Sequence, residues 1–206
     1  MEAARTGNLS VVRFLTDAGA DVNSVDSLER TPLICATGKD HNFAVVQFLV
    51  ESGAHVNAVA RNRSTPLLEA AGKGDLDVIR FLVERGALIN IADASGETAL
   101  MHAAEAGGMD VACFLVDNGA SVNAANNYRW TSLLCATRNG HTDVARMLIA
   151  NGAAVDAAAV DGRTSLLIAT MRNDLEAVQL LIQKGANVDA VDDSGQTSLM
   201  HAEIQK

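Results

Sequence analysis

The side chains best suited to chemistry in this sequence are of the kinds that recognise rather than react. Its single Tyr and single Trp stand two positions apart, in Tyr128-Arg129-Trp130, and Tyr, Trp and Arg are the types that dominate binding hot spots. In an extended segment both rings would point to the same side. The alternative is that Trp130 packs on a neighbouring loop and stiffens it, since Trp often does both. Arg61 and Arg63 flank Asn62 in another short loop, and Arg30 and Arg163 hold positions that match Trp130. As a set they form a basic strip on an acidic molecule, which favours an acidic partner segment. Taken singly, each is ordinary solvated surface charge.

Reactive chemistry has little support. Glu69, His102 and Cys135 are metal-ligand types at equivalent positions along the chain. Side-by-side helices lie roughly 8–10 Å apart, however, whereas zinc ligands sit at about 2.0–2.3 Å from the metal. No metal and no cofactor are expected. G-x-S-x-G, H-E-x-x-H, C-x-x-C and a phosphate-cradling Gly loop are all missing, so the chain is not expected to be an enzyme. The acid pairs Asp75/Asp77 and Asp192/Asp193 fall at a helix start and in a turn, where capping explains them.

The elements that must position these residues are read from the stretch Thr65–Asn90. Thr65-Pro66 gives a capping hydroxyl followed by Pro at the first helical position. Ala70 and Ala71 precede a break at Gly72-Lys73-Gly74, and Asp75 and Asp77 open a second helix at its positive dipole end. Val78, Ile79, Phe81, Leu82 and Val83 supply its apolar stripe, and Gly86 suits the left-handed C-terminal slot. The opening Thr recurs at Thr31, Thr65, Thr98, Thr131, Thr164 and Thr197, and the closing Gly at Gly19, Gly53, Gly86, Gly119, Gly152 and Gly185. Steps are 33 residues except the first, which is 34, the extra residue falling in the Lys39–Asn42 turn. A fixed period of this size means a stacked array.

The unit resembles the ankyrin repeat, whose pattern runs T-P-L-H-x-A-A, then a Gly turn, then G-A-D-V-N, and the resemblance covers essentially the whole chain. It implies an all-α solenoid of stacked antiparallel helix pairs with β-turn fingers, forming a single domain over 1–206. The division is a partial repeat at 1–23, full repeats at 24–57, 58–90, 91–123, 124–156 and 157–189, and a partial repeat at 190–206. Polar residues at both ends, Glu2 and Arg5 at one and Glu203, Gln205 and Lys206 at the other, partly suit solvent-facing ends. The family favours Asp before and Gly within each finger. Glu29, Arg63 and Arg129 replace that Gly, which reads as backbone freedom given up for a side chain. The His of T-P-L-H is replaced by Ile34, Leu68, Met101, Leu134, Leu167 and Met200, so apolar packing is expected to substitute for its inter-repeat hydrogen bonds. Asn23 lies at a spacing that resembles the hydroxylated Asn of some ankyrin repeats, but pinning a turn, as Asn57, Asn90 and Asn123 would, is the favoured role.

A second recognition row comes from the slot four residues after each Thr: Cys35, Glu69, His102, Cys135, Ile168 and His201. Its variation between apolar and charged residues suggests that it faces the groove. Lys73, Arg138, Met171 and Arg172 lie a turn further along the same helical face. Glu69, Lys73, His102 and Arg138 are taken to tune a fit anchored by Arg61, Arg63, Tyr128, Arg129 and Trp130.

Bulk properties agree. A formal net charge of −9 argues against general nucleic-acid or anionic-membrane binding. The 49% apolar content is ample for a core, and 3% aromatic content makes that core aliphatic. The start is not a signal-peptide pattern, and three expected free thiols favour cytosol or nucleus, including delivery there as an effector. The expected function is a monomeric, non-catalytic scaffold that binds a protein partner. Alternatives are a small-ligand or nucleotide sensor using Trp130 or Tyr128 with nearby Arg, and a structural segment of a larger repeat protein.

Overall fold

The computed structural model describes residues 1–38 and 42–204. Most of the lengthened turn (39–41), and Gln205 and Lys206 of the expected polar end, lie outside the described residues. The chain divides into two compact units, Met1–Ala99 and Leu100–Lys206.

The first unit contains α1 (Glu2–Arg5), α2 (Leu9–Asp17), α3 (Pro32–Thr37), α4 (Phe43–Glu51), α5 (Pro66–Lys73) and α6 (Leu76–Glu84). The first helices start as the Thr-Pro pairs dictate. Backbone N–H groups of Ile34 and Leu68 donate to the hydroxyls of Thr31 and Thr65, each at 3.3 Å. Asp75 caps α6 by accepting from Val78 N at 3.1 Å, and Gly86 follows it at φ +87°. First helices pack in a row, α1 on α3 and α3 on α5, and second helices do the same, α2 on α4 and α4 on α6. Leu33, Ile34, Leu49, Leu68, Ile79 and Leu82 fill the core between the rows, with Ala36, Ala70 and Ala71 wholly buried where helices approach closely. Phe43 meets Phe81 edge-on at 5.6 Å between centroids.

The helix α7 (Ala99–Ala106) begins at the last residue of the first unit, and six more described helices follow in the second unit. These are α8 (Met109–Asp117), α9 (Ser132–Asn139), α10 (Thr142–Ala150), α11 (Ser165–Met171) and α12 (Leu175–Gln183), followed by α13 (Ser198–Ile204). Here α9 packs on α11 and α11 on α13, while α8 packs on α10 and α10 on α12. Thr131 and Thr164 cap α9 and α11 as their counterparts do in the first unit. Ser replaces Pro at the first helical position, and the hydroxyls of Ser132, Ser165 and Ser198 are buried with no hydrogen-bond partner. Among the described residues the extended segments form only isolated antiparallel bridges, such as Ala125 with Thr131 and Ala158 with Thr164, so the fold is all-α. None of the described helices is long and apolar enough to cross a membrane.

The missing His is replaced by apolar packing at Ile34, Leu68, Met101, Leu134 and Leu167, which are all buried, but not at Met200, which is 50% exposed. Hydrogen bonds between repeats persist from other residues. Asn23 Nδ2 donates to Gly53 O at 3.0 Å and its Oδ1 accepts from His55 N at 2.8 Å. Asn57 repeats this with Gly86 O and Leu88 N, both at 2.9 Å. Asn123 does so with Gly152 O at 2.9 Å and Ala154 N at 2.8 Å. At the inter-helix turns, Asn42 Nδ2 donates to Ala4 O at 3.2 Å and Arg172 Nη1 to Arg138 O at 2.6 Å. Asn23, Asn57 and Asn123 therefore tie each loop to the main chain of the next repeat.

Candidate functional site

The fingers share one construction. Residue one donates its N–H to the carbonyl of residue five: Asp26 to Arg30 at 3.1 Å, Ala60 to Ser64 at 2.9 Å, Asn126 to Trp130 at 2.9 Å and Ala159 to Arg163 at 3.0 Å. An Asp or Asn at residue one gathers the turn further. Asn126 Oδ1 accepts from both Tyr128 N and Trp130 N at 2.9 Å, as Asp26 Oδ1 does from Leu28 N and Arg30 N. Neighbouring fingers are joined by main chain, Arg61 N to Leu28 O at 2.9 Å in the first unit and Val160 N to Tyr128 O at 3.0 Å in the second.

Residue four is left-handed throughout. Gly96 and Gly162 have φ of +82° and +76°, and Glu29, Arg63 and Arg129 all have φ of +61°. Backbone freedom has therefore not been given up at these three fingers. The glycine conformation is kept and an L side chain is carried on it, a strained state that persists only where surroundings hold it. The expected common side for Tyr128 and Trp130 also fails, because their segment is a closed turn and strand alternation does not apply. Tyr128 is 64% exposed, whereas Trp130 is half-buried against Leu134, Ala159 and Ile168.

In the first unit the expected basic strip is largely neutralised by its own fingers. Arg30 Nη2 meets Asp26 Oδ2 at 2.7 Å, and Arg61 Nε meets Glu29 Oε1 at 3.4 Å. The hydrogen bond from Arg30 holds the Asp26 carboxyl below the usual carboxylate range. Glu69 accepts from Ser64 Oγ at 2.6 Å. A recess of about 330 Å³ lies among Leu28, Arg30, Arg61, Asn62 and Glu69. Arg63 and Lys73 are exposed.

In the second unit the matching recess, about 360 Å³, is lined by Trp130, Arg138, Arg163, Ile168, Met171 and Arg172. The Arg138 guanidinium carbon lies 5.1 Å from the centroid of the Trp130 ring, within cation–π range. Arg163 Nε donates to Asp161 Oδ2 at 2.7 Å and its Nη2 binds the same oxygen. This contact keeps the Asp161 carboxyl below its usual range. Arg129 is exposed at its fingertip, and His102 is half-buried on α7.

The row four residues after each Thr is not a uniform groove surface. Cys35, Cys135 and Ile168 are only 8%, 9% and 5% exposed, because the finger folds over that position; Ile168, for example, packs with Leu134, Ala159 and Trp130. Glu69 and His102 are half-buried. Met171 and Arg172, on the same helical face but outside the expected contact set, also line the second unit's recess. Their signal was proximity, one turn beyond Ile168, on the helix that follows the finger beside Trp130.

The matches to known proteins agree with this construction. The family model described as ankyrin repeats (3 copies) matches residues 1–93, 87–159 and 151–205, and the chain belongs to the ankyrin repeat family. Among solved structures, the human ASB11 ankyrin repeat domain is similar at a TM-score of 0.86 and 27% sequence identity. That match covers 98% of this chain and 90% of the other. No curated protein matches the sequence.

Proposed function

We propose that the chain is a non-catalytic protein-interaction module, monomeric, which holds a segment of a protein partner against its fingers and first helices. The observation that carries this reading is at the fingertips. Arg63 and Arg129 occupy a left-handed position that glycine fills without strain at Gly96 and Gly162, and both are exposed. Strain kept for an exposed side chain has no packing rationale, and recognition supplies one. Tyr128, beside Arg129, adds a large exposed ring of a type enriched in hot spots. An acidic segment suits the guanidiniums without a carboxylate partner in these fingers. Three free thiols fit work in the cytosol or nucleus.

A small-ligand or nucleotide sensor has one observation in its favour, the arginine-lined recess at Trp130. The net charge of −9 weighs against it.

The test compares proteins captured by wild type with those captured by the Arg63→Gly/Tyr128→Ser/Arg129→Gly triple variant, with circular dichroism confirming equal helicity. A partner retained by wild type and lost by the variant is expected. Identical captures would remove the fingertips from the interface.

A further inference from the structure

The two recesses are alike in size but differ in charge once the ion partners of their arginines are counted. In the first unit, Arg30 and Arg61 face Glu69 and are paired with Asp26 and Glu29, two guanidiniums against three carboxylates. In the second unit three guanidiniums line the recess, and the carboxylate paired within it is that of Asp161. Arg163 is committed to Asp161. Arg138 and Arg172 remain as the free clamp.

Both are held in place before any ligand arrives. Arg138 stacks at 5.1 Å over Trp130, and one terminal nitrogen of Arg172 is spent on the Arg138 carbonyl at 2.6 Å. A guanidinium has five N–H donors in a planar fork, so each retains donors for a second acceptor. The wall they share is apolar: the Trp130 ring, Ile168 and Met171. An indole and an aliphatic wall beside two fixed guanidiniums suit a group that is itself an apolar ring ending in a dianion. The volume, about 360 Å³, falls at the lower end of the roughly 300–1,000 Å³ typical of small-ligand sites.

We propose that the Trp130–Arg138–Arg172 recess binds an aryl phosphate, the side chain of a phosphorylated tyrosine on a partner protein. This rests on the interaction-module reading but uses residues apart from the fingertips that test it. Phosphorylation of the partner would then switch the contact on by adding charge and acceptors that arginine pairs with bidentately.

The experiment uses the full chain and the emission of its single Trp, with ³¹P NMR of the probe as an independent readout. N-acetyl-phosphotyrosine amide is expected to give a saturable change with a Kd of about 1 mM or tighter, weakening as salt rises. N-acetyl-tyrosine amide and inorganic phosphate should each bind about tenfold more weakly or worse. Arg138→Gln and Arg172→Gln should each weaken the phosphorylated probe about tenfold, while Arg30→Gln changes nothing. The fingertip triple variant should bind the probe as wild type does, so loss of partner capture and loss of probe binding report separately. Equal affinity for the phosphorylated and unphosphorylated amides, no saturable change by either readout, or tenfold tighter binding of adenosine monophosphate would overturn the proposal.

Discussion

Replacing Arg129 by Gly should stabilise the protein, although it removes a large side chain. The residue sits at φ +61° and its N–H donates to Asn126 O at 2.8 Å, a turn that Gly can keep unchanged. Holding an L residue in the left-handed region costs roughly 1–2 kcal/mol. Gly in turn gives the unfolded chain extra freedom worth about 0.4–1 kcal/mol. The net gain is therefore about 0.5–1 kcal/mol. Arg129→Ala separates this backbone effect from loss of the guanidinium, since it removes the same side chain and keeps the strain. The difference between the Gly and Ala variants should be the same net of about 0.5–1 kcal/mol in favour of Gly, whatever the guanidinium contributed. Urea unfolding followed by far-ultraviolet circular dichroism measures it. Gly162→Ala is the mirror control: its φ is +76°, and an added Cβ would come within 3.0 Å of Asp192 Cα and Asp193 N. That variant should lose at least about 1–2 kcal/mol. If Arg129→Gly proves no more stable than Arg129→Ala, the fingertip is not strained and the inference from strain to recognition fails.

Four other outcomes are expected. Ser132→Pro and Ser165→Pro should each stabilise by about 1 kcal/mol, removing a buried unpaired hydroxyl and restricting the unfolded chain. Thr131 and Thr164, at ψ of 167° and 169°, already hold the extended conformation that a following Pro requires; a fall in Tm would refute this. Asn57→Ala deletes two bonds to the next repeat and should cost about 1–3 kcal/mol in urea unfolding. With a thiol-specific reagent under native conditions, Cys113 should react first. Cys35 and Cys135 are buried, and burial pushes the Cys35 thiol above its ordinary range; a faster Cys35 would contradict this. Asp161 titrates below its ordinary value of 3.8 because Arg163 donates to it. Its contribution is complete above that value and is lost as pH falls below it, so the free energy of unfolding, measured across about pH 2–6, should fall less steeply at the acid end in Asp161→Asn.

The features legible in the sequence were those fixed by local geometry. A Thr followed by Pro or Ser must cap, Gly after an apolar stripe must close a helix, and the period places both, as the hydroxyls of Thr31 and Thr65 and the φ of Gly86 bear out. The candidate site was read less well, because its chemistry depends on contacts between segments. Arg30, Arg61 and Arg163 looked like one basic strip, but each finds a carboxylate in its own or the adjoining finger. Tyr128 and Trp130 looked like a pair on an extended strand, but the Asn126 carboxamide draws that segment into a turn. Arg172 became important through the carbonyl it reaches 34 residues away, which spacing within one helix does not reveal.

The carboxamides of Asn23, Asn57 and Asn123 hydrogen-bond to main-chain atoms of the following repeat. Such a latch is blind to its neighbour's side chains. Repeats bearing it can be reordered, duplicated or exchanged during evolution without renegotiating the joint. The same indifference leaves fingertip residues such as Glu29, Arg63 and Arg129 at liberty to diversify.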